Sequence, residues 1–120
     1  MSLTLSNRQV GDVAIVDLSG RITLGEASGE LREGIKELLS KGQKNILLNV
    51  AGVTYIDSSG LGELVGAFAT ASNRDGHLKL LNLTGRALEL MQVTKLYSVF
   101  ETFTDEAKAV RSFQSRAASV

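Results

Sequence analysis

Apolar positions along the chain change period several times, and each change marks an element. "LTLSNRQ" and "VAIVDLSG" carry β-branched residues with partial alternation, and Gly11-Asp12 between them reads as a hairpin turn. "ASGELREGIKELLSKG" then takes up helical spacing. Leu31, Ile35, Leu38 and Leu39 fall on one face, with Gly42 placed to cap the end. "KNILLNV" is a short apolar run bounded by turn residues and predicts a buried strand ending at Val50, after which "AGVTYI" is expected to carry the chain to the next helix.

Leu61, Leu64, Val65 and Phe68 restore helical spacing until Asn73–Gly76 breaks it. "HLKLLNL" reads as a strand, and "TGRALELMQVT" as a short helix capped by Thr84. "VFETF" is a weak strand. "TDEAKAVRSFQS" begins a last helix at Thr104, with Asp105 and Glu106 in its first turn, and the tail "RAASV" is expected to fray. The order is β β α β α β α β α. Strands alternating with helices predict an α/β domain, and the opening hairpin makes its sheet mixed rather than purely parallel. No repeat, low-complexity segment or proline marks a linker, so residues 1–120 are read as one domain.

The least ordinary stretch is "VTYIDSSGLGELVGAF", where a β-branched run passes through Asp57-Ser58-Ser59-Gly60 into a helix. Asp57 or Ser58 is the expected N-cap, since both side chains accept bonds from first-turn amides. A helix start carries unpaired N–H groups and a partial positive charge, so a phosphate added to a serine there would be held. Capping alone would also explain these residues. Gly62 and Gly66 fall on the polar side of the helix beside Glu63 and Thr70, where they leave a flat face. Such a face suits close approach by a partner or by the protein's own loops.

Composition narrows the chemistry. Lys plus Arg and Asp plus Glu number 13 each, which argues against nucleic acid as a direct partner. There is no cysteine and a single histidine, His77, so neither a thiolate nor a histidine metal site is expected, and no cofactor. The start "MSLTLSNRQV" lacks the pattern of a signal peptide, and no apolar run reaches membrane-spanning length, which predicts a cytoplasmic protein with no membrane contact. Ser58 lacks a Gly-x-Ser-x-Gly setting and has only His77 as a conceivable base. Asp57 is read as a cap and Glu63 as facing solvent, so catalysis is not expected. The glycines 60, 62 and 66 do not have the spacing of a dinucleotide loop.

"YIDSSGLGELVGAF" closely resembles the central motif of the STAS domain of bacterial anti-sigma factor antagonists. The likeness extends to "VAIVDLSGRI", "KNILLNVAGVTYIDSSGLG" and "HLKLLNLTGRALELMQVTKLYSVFET", nearly the whole chain. It implies the STAS fold, a mixed sheet of about four to five strands with helices mainly on one side. It also implies a regulator that binds an anti-sigma factor with serine kinase activity and so frees a sigma factor for transcription. Phosphorylation of the serine after the motif aspartate, here Ser58, ends the antagonism, and a metal-dependent PP2C-type phosphatase restores it. The partner face implied comprises Thr23, Asp57, Ser58, Ser59, Gly60, Gly62, Glu63 and Gly66. Thr23 departs from the many members that carry an acidic residue at that point. A STAS scaffold without a switch, within a signalling complex or a transport assembly, is the alternative that the resemblance leaves.

Overall fold

The computed structural model describes residues 3–23, 26–83 and 85–118. The elements are β1 (Leu3–Val10), β2 (Val13–Ile22), α1 (Glu26–Ser40), β3 (Asn45–Ile56), α2 (Ser58–Asn73), β4 (His77–Leu81), α3 (Gly85–Thr94), a 3₁₀ turn (Leu96–Val99), β5 (Thr102–Phe103) and α4 (Glu106–Ala118). The five strands lie in sequence order in one sheet. β1 runs antiparallel to β2, and every later pair is parallel. The expected mixed α/β architecture and its element order are therefore observed.

Helix placement follows from that order. Parallel crossovers are almost always right-handed, so strands added steadily in one direction bring their helices to the same face. Leu31, Ile35, Leu38 and Leu39 of α1, Leu61, Leu64, Ala67 and Ala71 of α2, and Ala87 and Met91 of α3 share one core with Ala14, Val16, Leu18, Ile46, Leu48 and Leu80. α4 returns across the other face, where Ala109, Val110 and Phe113 cover Val13, Ile15, Leu47 and Leu81. Val13 to Val16 are all buried because the two faces of β2 are both covered there.

The C-terminal end of α1 and the N-terminal end of α4 are capped. Gln43 and Gly42 donate to the carbonyls of Leu38 and Leu39, a Schellman closure of α1. α4 begins at Glu106 and not at Thr104 as expected, and Asp105 caps it, its Oδ1 accepting from the Lys108 amide at 3.2 Å. α4 continues to Ala118, so the helix reaches three residues into "RAASV". The proposed cap Thr84 lies outside the described residues.

One strand is longer than its pattern indicates. β3 does not stop at Val50 but continues through Ala51–Ile56, paired with the end of β2 up to Ile22↔Ile56. Ala51, Gly52, Thr54 and Tyr55 are exposed, so this half of the strand has no apolar signature. Register shifts between Asp17 and Ser19 and between Gly20 and Arg21 let the paired ends continue. A Cβ on Gly52 would stand 2.7 Å from the Leu18 carbonyl, so the strands approach there as only glycine permits.

Beneath α4 lies a lysine that alternation alone does not reveal. Lys79 on β4 is 3% exposed. Its Nζ donates to Ser112 Oγ at 2.9 Å, lies 3.3 Å from Glu101 and sits 4.6 Å from the Phe113 ring centroid. Farther along the same face, Arg8 Nε donates to Asp17 Oδ2 at 2.7 Å, and Arg8 Nη2 to Glu106 Oε1 at 2.6 Å. This ties β1 and β2 to the first turn of α4. Bonds from Arg8 hold the carboxyls of Asp17 and Glu106 below their ordinary values. Depressed carboxylates favour the folded state above their unfolded pKa, and that support fades as pH falls through the lower folded values. Stability should therefore decline below about pH 4, and Arg8→Met should flatten part of that acid limb while costing little below it. Chemical denaturation across pH checks this; identical pH profiles for the two proteins would contradict it.

Candidate functional site

β3 delivers the chain to α2 through Asp57, whose backbone is still extended at φ −113°. Asp57 Oδ1 accepts from the Gly60 amide at 2.8 Å, and the Asp57 carbonyl accepts from the Leu61 amide at 2.9 Å. Asp57 is thus the N-cap, one of the two residues expected there. Ser58 and Ser59 occupy the first two helical positions with exposed side chains. Since Asp57 performs the capping, the two hydroxyls are not required for it. Their own amides belong to the first turn, which has no acceptor within the helix.

Gly60 fixes where this turn stands. It is buried, and a Cβ there would lie 1.9 Å from the Ile22 carbonyl oxygen. Only a bare backbone lets the start of α2 press against the end of β2. Gly60 therefore belongs to the inside of the junction and is not on the exposed partner face implied for it. The same contact brings the half-buried Thr23, the residue after Ile22, to this end of the molecule.

The remaining candidates divide. A Cβ on Gly62 or Gly66 would meet nothing within 4 Å, so neither glycine is needed for internal packing. The opposite side of α2 is sealed by Leu61, Leu64, Ala67 and Ala71, with Phe68 packed edge-on against Phe100 at 5.3 Å. Glu63 does not face solvent as expected. Its side chain is 14% exposed and accepts from Arg32 Nη2 at 2.8 Å, an ion pair that joins α2 to α1. Helical spacing within α2 gives no sign of Arg32, which comes from α1.

Two more residues stand at this site because β3 runs past Val50. The Arg21 guanidinium stands 4.8 Å from the centroid of the Tyr55 ring, and Tyr55 is 39% exposed. They sit on paired strand ends, Arg21↔Tyr55, just before Asp57. Thr54 and Tyr55 are both exposed while Val53 and Ile56 both reach the core, so no simple alternation marks this stretch as strand. His77 starts β4 opposite Asn45, at the other end of β3 from Ser58. A base for Ser58 would have to come from elsewhere. What the junction offers is an exposed hydroxyl at the positive end of a helix, beside a low-relief surface.

A family model described as STAS domain matches residues 4–109. The chain belongs to the STAS domain family. Among curated relatives, the anti-sigma-B factor antagonist of Bacillus subtilis is 31% identical over 101 residues, covering 84% of this chain and 91% of that protein. Solved structures share the fold at lower identity. An anti-sigma factor antagonist from Mycobacterium paratuberculosis superposes with a TM-score of 0.79 at 17% identity, covering 92% of this chain and 93% of that one. The Bacillus cell fate determinant SpoIIAA, in its phosphorylated form, gives 0.70 at 20% identity over 92% and 99% of the two chains. In this STAS domain, as described, no helix is long and apolar enough to cross a membrane.

Proposed function

We propose that this STAS protein is an anti-sigma factor antagonist of the cytoplasm, switched by phosphorylation of Ser58. In the unmodified state it binds an anti-sigma factor that is also a serine kinase, and so releases a sigma factor. Phosphorylation by that kinase ends binding, and a PP2C-type phosphatase resets the protein. The observation that carries this reading is the junction itself: Asp57 caps α2, which leaves the exposed Ser58 hydroxyl free for chemistry. The name of the Bacillus subtilis relative and the existence of a phosphorylated SpoIIAA structure support the same reading.

Contact with the partner is assigned to Ser58, Ser59 and the open side of α2 at Gly62 and Gly66, with Thr23 beside them. Asp57 and Gly60 shape this surface from within, and Glu63 holds it to α1. Ser58 is the better target of the two serines. Residues four apart on a helix are neighbours, so Ser58 has Gly62 one turn on, whereas Ser59 has the carboxylate of Glu63. Incubation with candidate anti-sigma kinases and ATP, followed by mass spectrometry, tests the assignment. Ser59→Ala should be labelled like the parent and Ser58→Ala should not; undiminished labelling of Ser58→Ala would overturn it.

A further inference from the structure

We infer that the outer edge of β1 pairs with the same edge of a second copy, giving a twofold dimer with one continuous sheet. β1 is an eight-residue strand, paired with β2 along its whole length without a register shift. It ends the sheet, so among the described residues no strand lies on its other side. The opposite edge, β5, is only two residues long. One long edge and one short edge favour a closed, self-complementary dimer over an open filament.

The backbone groups available on that edge follow from the hairpin. Val10↔Val13 flanks a two-residue turn, and such a pair exchanges both its hydrogen bonds. Alternation then turns the N–H and C=O of Arg8, Ser6 and Thr4 inward to β2. Those of Gln9, Asn7, Leu5 and Leu3 point away from the sheet. Several usual protections of an exposed edge are missing among the described residues: the chain has no proline, β1 has no bulge, and its strand carries a single charge, Arg8. That charge is already engaged by Asp17 and Glu106.

Antiparallel pairing of this edge with itself matches outward residues to outward residues. Two registers do so along most of the strand, one pairing Thr4–Val10 with itself about Asn7, the other Leu3–Gln9 about Ser6. Arg8 then faces Ser6 or Thr4, never a second Arg8, so no like charges oppose one another. A net charge of zero adds no long-range repulsion between copies. The edge lies two strands from β3, which leads into Ser58, so each copy in the dimer keeps its α2 surface open.

Sedimentation velocity of the full chain over rising concentration should show a monomer–dimer equilibrium. Asn7→Pro removes one outward N–H and leaves the β1–β2 ladder intact, so it should abolish the dimer without lowering the melting temperature. Hydrogen exchange of the unaltered protein gives a readout that needs no variant. Amides of Leu5, Asn7 and Gln9 should slow as the dimer fraction rises, while those of Ser6 and Arg8 stay protected at every concentration. A monomer throughout would overturn the proposal and point to a foreign strand as the occupant of this edge. A dimer whose Leu5, Asn7 and Gln9 amides exchange at the monomer's rate would overturn it as well.

Discussion

Gly60→Ala should lower the melting temperature by roughly 10 °C or more, equivalent to about 3 kcal/mol in a domain of this size. The new Cβ would sit 1.9 Å from the Ile22 carbonyl oxygen and 2.7 Å from its carbon. Both are backbone atoms of a paired strand end, Ile22↔Ile56, so neither can rotate away as a side chain would. Either α2 lifts off the sheet or β2 peels from β3. Lifting α2 would also pull apart the core that Leu61 and Leu64 share with Ile22 and Ile56. Gly62→Ala, only two residues on, should have the opposite sign. Nothing lies within 4 Å of its Cβ, and replacing a helical glycine by alanine gains about 0.5–1 kcal/mol. Thermal melts of the two variants beside the parent make the comparison. Equal destabilisation by both would mean that Gly62 also packs internally; no loss from Gly60→Ala would mean that the contact with Ile22 is not present in solution.

The two glycines also show what the sequence could and could not convey. Period changes located the four α-helices and the body of each strand, since each helix buries one face and the central strands bury two, but not the end of β3 or the 3₁₀ turn Leu96–Val99, which overlaps the expected strand "VFETF" of which only Thr102–Phe103 is strand. The N-cap at Asp57 was legible because a short acidic side chain before a helix has few other uses. Contacts between distant segments were not legible. Gly60 and Gly62 look alike in a string of residues, and only the approach of Ile22 separates them. Glu63 reads as a surface residue until α1 brings Arg32 to it. The second half of β3 is held by backbone bonds to β2 while its side chains face water, so its apolar pattern vanishes where the pairing continues. Lys79 looks like the polar member of an alternating strand, yet α4 covers that face and encloses it.

Phosphorylation of Ser58 should weaken binding of the anti-sigma kinase by a hundredfold or more and leave the domain folded. A phosphoserine brings about −1.5 to −2 charges at neutral pH. At an exposed helix N-terminus the dipole favours negative charge by roughly 0.3–1 kcal/mol, partly offset here by repulsion from the adjacent Asp57 carboxylate. The isolated protein should thus be neutral or slightly more stable. In a complex the same group would be pressed against the partner. Unless an arginine or lysine received it there, its desolvation would cost several kcal/mol, and each 1.4 kcal/mol is about tenfold in affinity. Ser58→Asp should reproduce this only in part, having less charge and fewer oxygens. Ser58→Ala should bind and escape the switch.

Calorimetric titration of unmodified and Ser58-phosphorylated protein into the anti-sigma kinase that modifies it, with circular dichroism melts on both forms, tests the switch most directly. The account predicts tight binding for the first, loss of at least a hundredfold in affinity for the second, and nearly superimposable melts. Equal affinities, or a phosphorylated protein that has lost its cooperative melt, would contradict it.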